Sequence, residues 1–370
     1  MDALELRDKA NELLLISNNA KQQLQEIKTI ETGVDYLNKV KAIETWAKAE
    51  KKDAELQNII AEQKLRTQRI LGGLLKESNV SKNTSNQYLL GSKDKPSTLT
   101  SMGISKVESH TFQKIASLPE ETFEKEIETA TKETNRRIEL TTSRMLKVAK
   151  EFEKEETIKE NQKKGSTINI SNDLIDYRLG DFVEQFKDIP DGSIDCIITD
   201  PPYPLEYIEC WTNLAKEAKR LLKPNGFCIA YSGQQNLIEV YNRMNEYLDY
   251  YWTFSLNHSG NAQLVMNKNI LCGWKPILVF QNGFKKIDVV SKDVITGSKM
   301  EKEYHAWQQS EKELIYIIEK FTKVGDTILD PFAGSGTTIV ASSKLKRKII
   351  ACEIDENSYN VSKVRIKNSL

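Results

Sequence analysis

From residue 166 to the end of the chain, short runs rich in β-branched residues alternate with amphipathic helical stretches. TINI, SIDCIIT, GFCIAYS, PILVFQ, DTILD and KIIACEI are the strand-like runs, and CWTNLAKEAKRLLK is the clearest of the helical ones. Alternation of this kind predicts an α/β domain over 166–370, with a doubly wound, mostly parallel sheet. Ligands of such sheets bind outside the carboxyl ends of the strands, so those ends are where chemistry is sought.

Two strand ends are unusual. Residues 197–204 read IITDPPYP, and Pro201 and Pro202 cannot donate to a sheet ladder, so the strand has to stop at Asp200. An acid at a rigid Pro-Pro corner is either a structural stop or the rim of a site. Residues 326–341 read DTILDPFAGSGTTIVA, a strand, an acid, a loop with Gly334 and Gly336, and the first turn of a helix. Glycines there let the backbone approach a ligand closely at a helix amino end. The loop has neither the Lys-Ser/Thr of a phosphate-binding loop nor the spacing of a dinucleotide fingerprint. Glu353, 23 residues beyond Asp330, stands near the separation at which an acid accepts ribose hydroxyls. Asp330 would repel a pyrophosphate and welcome a cation, and a nucleoside carrying positive charge in place of phosphates is S-adenosylmethionine.

With such a cofactor the first corner acquires a use. The exocyclic amine of adenine or cytosine is a poor nucleophile because its lone pair is delocalised into the ring. Two acceptors aimed at its N–H bonds, the Asp200 carboxylate and the Pro201 carbonyl, would free that lone pair. Tyr203 offers a flat face for a base taken out of the duplex. Asp200, Pro201, Pro202 and Tyr203 are therefore the candidate catalytic group, and the chemistry calls for no metal.

These motifs resemble the DNA amino-methyltransferases that modify adenine N6 or cytosine N4. DPPY (200–203), DPFAGSGT (330–337), GD (180–181), KDIPDGSIDCIITDPPY, LLKPNGF (221–227) and the acid of CEID carry the resemblance, which covers roughly residues 170–365. The corner precedes the loop, as in the permuted β class. Ribosomal guanine and protein glutamine methyltransferases place a similar corner after the loop. The resemblance implies a seven-stranded-type methyltransferase sheet and S-adenosylmethionine as cofactor. It also implies a cofactor set of Asp181, Asp330, Phe332, Gly334, Ser335, Gly336, Thr337, Glu353 and His305. Asp181 would meet the adenine amine of the cofactor or merely cap the helix from Phe182; Phe332 would line the pocket or simply fill core. The family's His-Pro-Thr-Gln-Lys-Pro stretch reads HAWQQS at 305–310, where Ser310 with Glu313 forms a possible capping box. Asp as the first residue of DPPY leans toward adenine N6 as acceptor. Cytosine N4, an RNA substrate and a DNA-binding regulator without turnover stay as alternatives.

The first 165 residues are of another kind. They are rich in Lys, Glu, Gln, Leu and Ala, with apolar residues at helical spacing that suggest three long helices over 1–76 ending near Gly72 and Gly73. Leu4 to Ile16 belongs to the first. A polar linker is expected at 77–97. In 98–165, Leu99 and Met102 suggest a short helix, Gly103 a turn, and Ser105 with Glu108 the start of a second helix. That is helix-turn-helix spacing, with Val107, Phe112 and Ile115 inward and Lys106, Ser109, His110, Gln113 and Lys114 free to face a DNA groove. Two short helices that merely pack fit the same pattern. Residues 120–164 read as a solvated helix.

Lys+Arg and Asp+Glu both number 53 in 370 residues, so any nucleic-acid face is local. Five cysteines without CxxC spacing suggest reduced thiols with neither disulfide nor zinc. With no signal core or long apolar run, a cytoplasmic protein acting on double-stranded DNA is expected, without membrane attachment. Self-association in the family and the long helices of the first half favour a homodimer.

Overall fold

The structure, a computed structural model, describes residues 22–50, 54–78, 99–132, 140–257, 262–297 and 311–370. The chain divides into two compact units, Met1–Glu156 and Thr157–Leu370. The expected first helix around Leu4–Ile16 and nearly all of the 77–97 linker lie outside the described residues.

The first unit is helical. Helix α1 (Ile30–Ala49) opens with a capping box between Thr29 and Thr32 and lies against α2 (Ala54–Glu77). Helix α2 does not end at Gly72 and Gly73. A Cβ on Gly72 would sit 2.0 Å from the Phe112 carbonyl oxygen, so this glycine is where α2 meets the backbone of α3 (Lys106–Ile115). The Ser105–Glu108 capping box of α3 forms as read. The helix expected at Leu99–Met102 is instead a turn. The outward face of α3 also needs correcting: Ser109 is buried and accepts from Gln113, while Val107 is exposed. The two positions differ by two residues, about 200° around a helix, so a slip in the assumed inward face exchanges them. Helices α4 (Glu120–Lys132) and α5 (Thr142–Ser166) are not a solvated rod either. Phe123, Ile127, Met145 and Ala149 gather in one core with Leu65 and Ile115, because they recur at helical spacing beneath the Glu/Lys-rich surface.

The second unit is an α/β sandwich. In chain order it comprises β1 (Ile175–Leu179), the short helix α6 (Phe182–Gln185), β2 (Ile194–Thr199), α7 (Ile208–Leu221), β3 (Leu222–Tyr231), α8 (Leu237–Asn245) and β4 (Asp249–Asn257). A small hairpin, β5 (Gln263–Val265) and β6 (Ile270–Cys272), leads to β7 (Trp274–Gln281) and β8 (Val294–Thr296). Then come α9 (Glu311–Phe321), β9 (Thr327–Asp330), α10 (Thr337–Lys344), β10 (Lys348–Glu353) and α11 (Glu356–Ser369). TINI is not a strand; the first strand begins five residues later, at Ile175. The expected 165/166 boundary is also absent locally, since α5 runs to Ser166 and Gly165 packs where a Cβ would lie 1.9 Å from the Asn360 carbonyl.

The main sheet has eight strands in the order β1-β10-β9-β2-β3-β7-β4-β8, the short β8 adding an edge to the expected seven. From β1 to β3 all pairings are parallel, and β7 runs antiparallel to both β3 and β4. Cys196 and Ile198 of β2 join a core with Leu314, Ile317 and Ile339 on one face, while Ile197 joins Trp211, Leu214 and Met244 on the other. Both faces are thus covered, which is why these strands read as continuous apolar runs. After β2 the chain crosses to β3 on one side, and after β9 it crosses to β10 on the other. The carboxyl ends of β2 and β9 therefore flank the point where the winding reverses, the place where open α/β sheets bind ligands.

Candidate active site

Strand β2 ends at Thr199 and β9 at Asp330, and the two strands pair in parallel through Cys196–Ile328 and Ile197–Leu329. The two motifs met separately in sequence consequently emerge side by side. Thr199 Oγ1 donates to Asp330 Oδ1 at 2.7 Å, tying one strand end to the other.

In the corner, Pro201 is buried and the two neighbouring carbonyls are occupied: Trp211 Nε1 donates to Pro202 O at 3.2 Å and Asn236 Nδ2 to Tyr203 O at 3.0 Å. Tyr203 packs on Gly233, where a Cβ would meet the Tyr203 Cβ at 3.2 Å, so a larger residue there would push the tyrosine back by a few tenths of an ångström. The Tyr203 hydroxyl donates to Asp200 Oδ1. Burial, and then the Asp200 charge, push this phenol well above its ordinary value, so it stays a donor.

Sequence reasoning did not single out Lys275. Strand β7 is antiparallel, so its first residues start at the edge where the parallel strands finish. That places Lys275 Nζ 3.3 Å from Asp200 Oδ1 and 3.2 Å from Oδ2. The same ammonium lies 4.7 Å from the centre of the Tyr203 ring and 5.0 Å from that of the buried Tyr231. A lysine opening a strand in GWKPILVF carries no mark that would separate it from a solvated one.

On the loop side Asp330 is 1% exposed. Besides Thr199 it accepts from the Phe332 amide at 3.1 Å, yet burial dominates these bonds and raises its carboxyl to about 7. Gly334 and Gly336 have φ of +50° and +74°, the left-handed region that glycine enters without steric cost. The Gly334 amide donates to Glu353 Oε2 at 2.7 Å, and the Asp355 amide to Oε1 at 2.9 Å. Burial raises the Glu353 carboxyl, opposed by those amides. Phe332 is half-buried and meets the Phe182 ring edge-on at 5.1 Å between centres.

Three expected cofactor residues have other partners. Arg365, 3% exposed, donates to Ser335 Oγ at 3.2 Å and to Thr337 Oγ1 at 2.5 Å, so these hydroxyls brace the loop from beneath. Asp181 caps α6 by accepting from the Val183 amide at 2.9 Å, in line with the capping alternative. Its strand end is beside Glu353 nonetheless, because Gly180 N donates to the Glu353 carbonyl at 2.8 Å. His305 and Ser310 lie outside the described residues; Glu313 is described and buried, and α9 begins at Glu311. In the helical unit, Lys106 and His110 are exposed, Gln113 is half-buried, and Lys114 pairs with Glu153 at 2.7 Å. Among the described residues no cluster of His, Cys, Asp and Glu could hold a metal ion, and no helix is long and apolar enough to cross a membrane.

The arrangement can hold a nucleoside against the glycine loop with its hydroxyls toward Glu353, and a planar donor against Tyr203 with its N–H groups toward Asp200. Comparison with known proteins follows the same line. A DNA methylase family profile, that of the N6/N4 methyltransferases, matches residues 288–364, the span holding the loop and Glu353. The Type II methyltransferase M.HinfI of Haemophilus influenzae is 26% identical over 255 residues, 54% of this chain and 70% of that protein. M.BamHI of Bacillus amyloliquefaciens is 28% identical over 51% of this chain and 56% of its own length, and M.HpaI of Haemophilus parainfluenzae 24% over 52% and 74%. Among solved structures, the cytosine-N4-specific PvuII DNA methyltransferase superposes with a TM-score of 0.46 at 18% identity, over 54% of this chain and 92% of that one. In the stretch that holds the loop and Glu353 the chain matches the DNA methylase profile of the N6/N4 type, and over about half its length it is similar to Type II DNA methyltransferases.

Proposed function

We propose that the α/β unit transfers a methyl group from S-adenosylmethionine to the N6 amine of adenine at a specific site in duplex DNA. The observation that carries this reading is the junction of β2 and β9, where an amine-accepting corner and a glycine loop stand on adjacent strand ends joined by the Thr199–Asp330 bond. The loop fits the cofactor: Glu353 is an acceptor for ribose hydroxyls and the glycines admit close approach, while the buried Asp330 ties the loop to the end of β2 through Thr199. The bound cofactor supplies an electrophilic methyl group.

The protein's share is positioning and electrostatics. Asp200 and the Pro201 carbonyl accept the two N–H groups of the target amine, drawing its nitrogen toward tetrahedral geometry. Asp200 opposes the positive charge that grows on that nitrogen and is placed to take the proton it sheds. Tyr203 stacks on the base, which has to leave the duplex to reach it. Asp at the first position of the corner supports adenine over cytosine. Type II methyltransferases among the relatives support a modification role beside a restriction enzyme. We place the protein in the cytoplasm as a homodimer, with α3 touching DNA through Lys106 and His110.

The test is transfer of labelled methyl from S-adenosylmethionine to mixed-sequence duplex DNA by the wild-type chain and by Asp200→Ala. Transfer lost in the variant, with cofactor affinity kept, supports the reading. Equal transfer by both overturns the role of Asp200. Lys106→Glu is expected to weaken DNA binding and reduce its salt dependence, and unchanged binding would remove α3 from the interface.

A further inference from the structure

We infer that Lys275 is a specificity-determining guard of the base pocket: its ammonium holds the place of the target amine until a base bearing an exocyclic NH2 replaces it. The inference rests on the proposed function and concerns how the same corner selects its substrate.

Two contacts define the position. Nζ lies 3.2 and 3.3 Å from the two Asp200 oxygens, so it presents N–H donors to the carboxylate that the target amine needs. It also lies 4.7 Å from the centre of the Tyr203 ring, on the aromatic face that a flipped base needs. One cation thus imitates both the amine and the stacked ring. The Tyr231 ring, 5.0 Å away on the neighbouring strand β3, supports the ammonium from another direction. The lysine side chain is 15% exposed and that of Asp200 27%, so the pair is partly withdrawn from water rather than loosely solvated.

Chemistry gives the reason for calling this a guard rather than a helper. During transfer the base nitrogen gains positive charge, and Asp200 is useful because it opposes that charge. An ammonium kept on Asp200 would cancel much of the effect. Productive binding therefore requires Lys275 to swing off Asp200 and Tyr203. A base with two N–H donors restores to Asp200 what the lysine gave up and offers its second N–H to the Pro201 carbonyl. A base with a carbonyl at that position, or without an amine there, cannot restore it, and the lysine returns. Discrimination then comes partly from a competitor built into the site.

The experiment uses the full-length protein and the DNA site mapped with the wild-type chain. Duplexes carry either the normal target base or 2-aminopurine in its place, a fluorescent base whose amine is on another ring carbon. Wild type, Lys275→Met and Lys275→Arg are compared for KM and kcat on normal DNA and for 2-aminopurine fluorescence; Lys275→Gln carries the same test should the Met variant fold poorly. With the guard neutral, KM for DNA is expected to fall about fivefold, the scale of one partly buried cation contact. The 2-aminopurine signal, quenched with wild type, is expected to rise at least threefold, roughly in step. Lys275→Arg should keep KM near wild type and the signal low. Unchanged KM and fluorescence in the neutral variants overturn the inference. So does a lower kcat at unchanged KM, which would assign Lys275 to the chemical step. A wild-type chain that methylates no DNA defeats the proposed function itself, a failure seen before any variant is compared.

Discussion

Asp330 offers the most quantitative check on the site. Its carboxyl moves from an ordinary 3.8 to about 7, chiefly through burial, so the folded chain holds a proton there that the unfolded chain has released. Below about pH 4 both states are protonated and the stability of the unit is undiminished. As pH rises toward 7 the unfolded state ionises first, so stability falls, and above 7 the loss is complete. Between pH 5 and pH 7 the slope of about 1.4 kcal/mol per pH unit gives a loss of about 3 kcal/mol. Asp330→Asn cannot titrate and should lose this component while keeping an oxygen for Thr199 and the Phe332 amide. All five cysteines lie in the second unit, and Cys196, Cys228 and Cys352 are buried, so their labelling in urea reports that unit alone. 4,4′-Dithiodipyridine reacts usefully at both pH 5 and pH 8. The expected result is a wild-type loss of stability from pH 5 to pH 8 that exceeds the loss in Asp330→Asn by about 3 kcal/mol. Equal pH dependence in the two proteins would show that the buried carboxyl ionises normally and refute the reasoning.

Other expectations follow from single contacts. Gly336→Ala puts a Cβ in the left-handed region, 3.2 Å from Ser362 Cβ, and should cost about 1–3 kcal/mol in the same thiol assay and weaken cofactor binding measured by calorimetry. Arg365→Met leaves the Ser335 and Thr337 hydroxyls without their buried donor; the cost should be about 1–3 kcal/mol, with cofactor affinity lowered and no selective change in the DNA KM. Gly72→Val should unfold the helical unit at lower urea, followed by circular dichroism, while the thiols of the α/β unit keep their midpoint, because the added side chain meets the Phe112 carbonyl.

The fold of the second unit was legible because each of its signals is local. β2 stops at Thr199 since Pro201 and Pro202 cannot continue a ladder, and the crossing of the two motifs follows from strand order once the alternation is recognised. What escaped depends on distant residues. Lys275 reaches Asp200 only because β7 is antiparallel, a fact no stretch of GWKPILVF encodes. Ser335 and Thr337 look like ligands in DPFAGSGT, but Arg365, thirty residues later, takes their hydroxyls. In the helical half, Gly72 reads as a helix end because its purpose, contact with Phe112, lies forty residues away. TINI has strand composition but lies before the stretch that pairs: the register with β10 begins at Ile175 opposite Ile349.

The central claim is that the corner and the loop together methylate an exocyclic amine of a DNA base. Its most direct measurement is incubation of the full-length chain with labelled S-adenosylmethionine and mixed-sequence duplex DNA, then digestion to nucleosides and identification of the labelled product. N6-methyladenine is the expected product. N4-methylcytosine would keep the site chemistry and overturn the assignment of Asp200 to adenine, whereas label in 5-methylcytosine, or no label in DNA while the cofactor binds, would contradict the account.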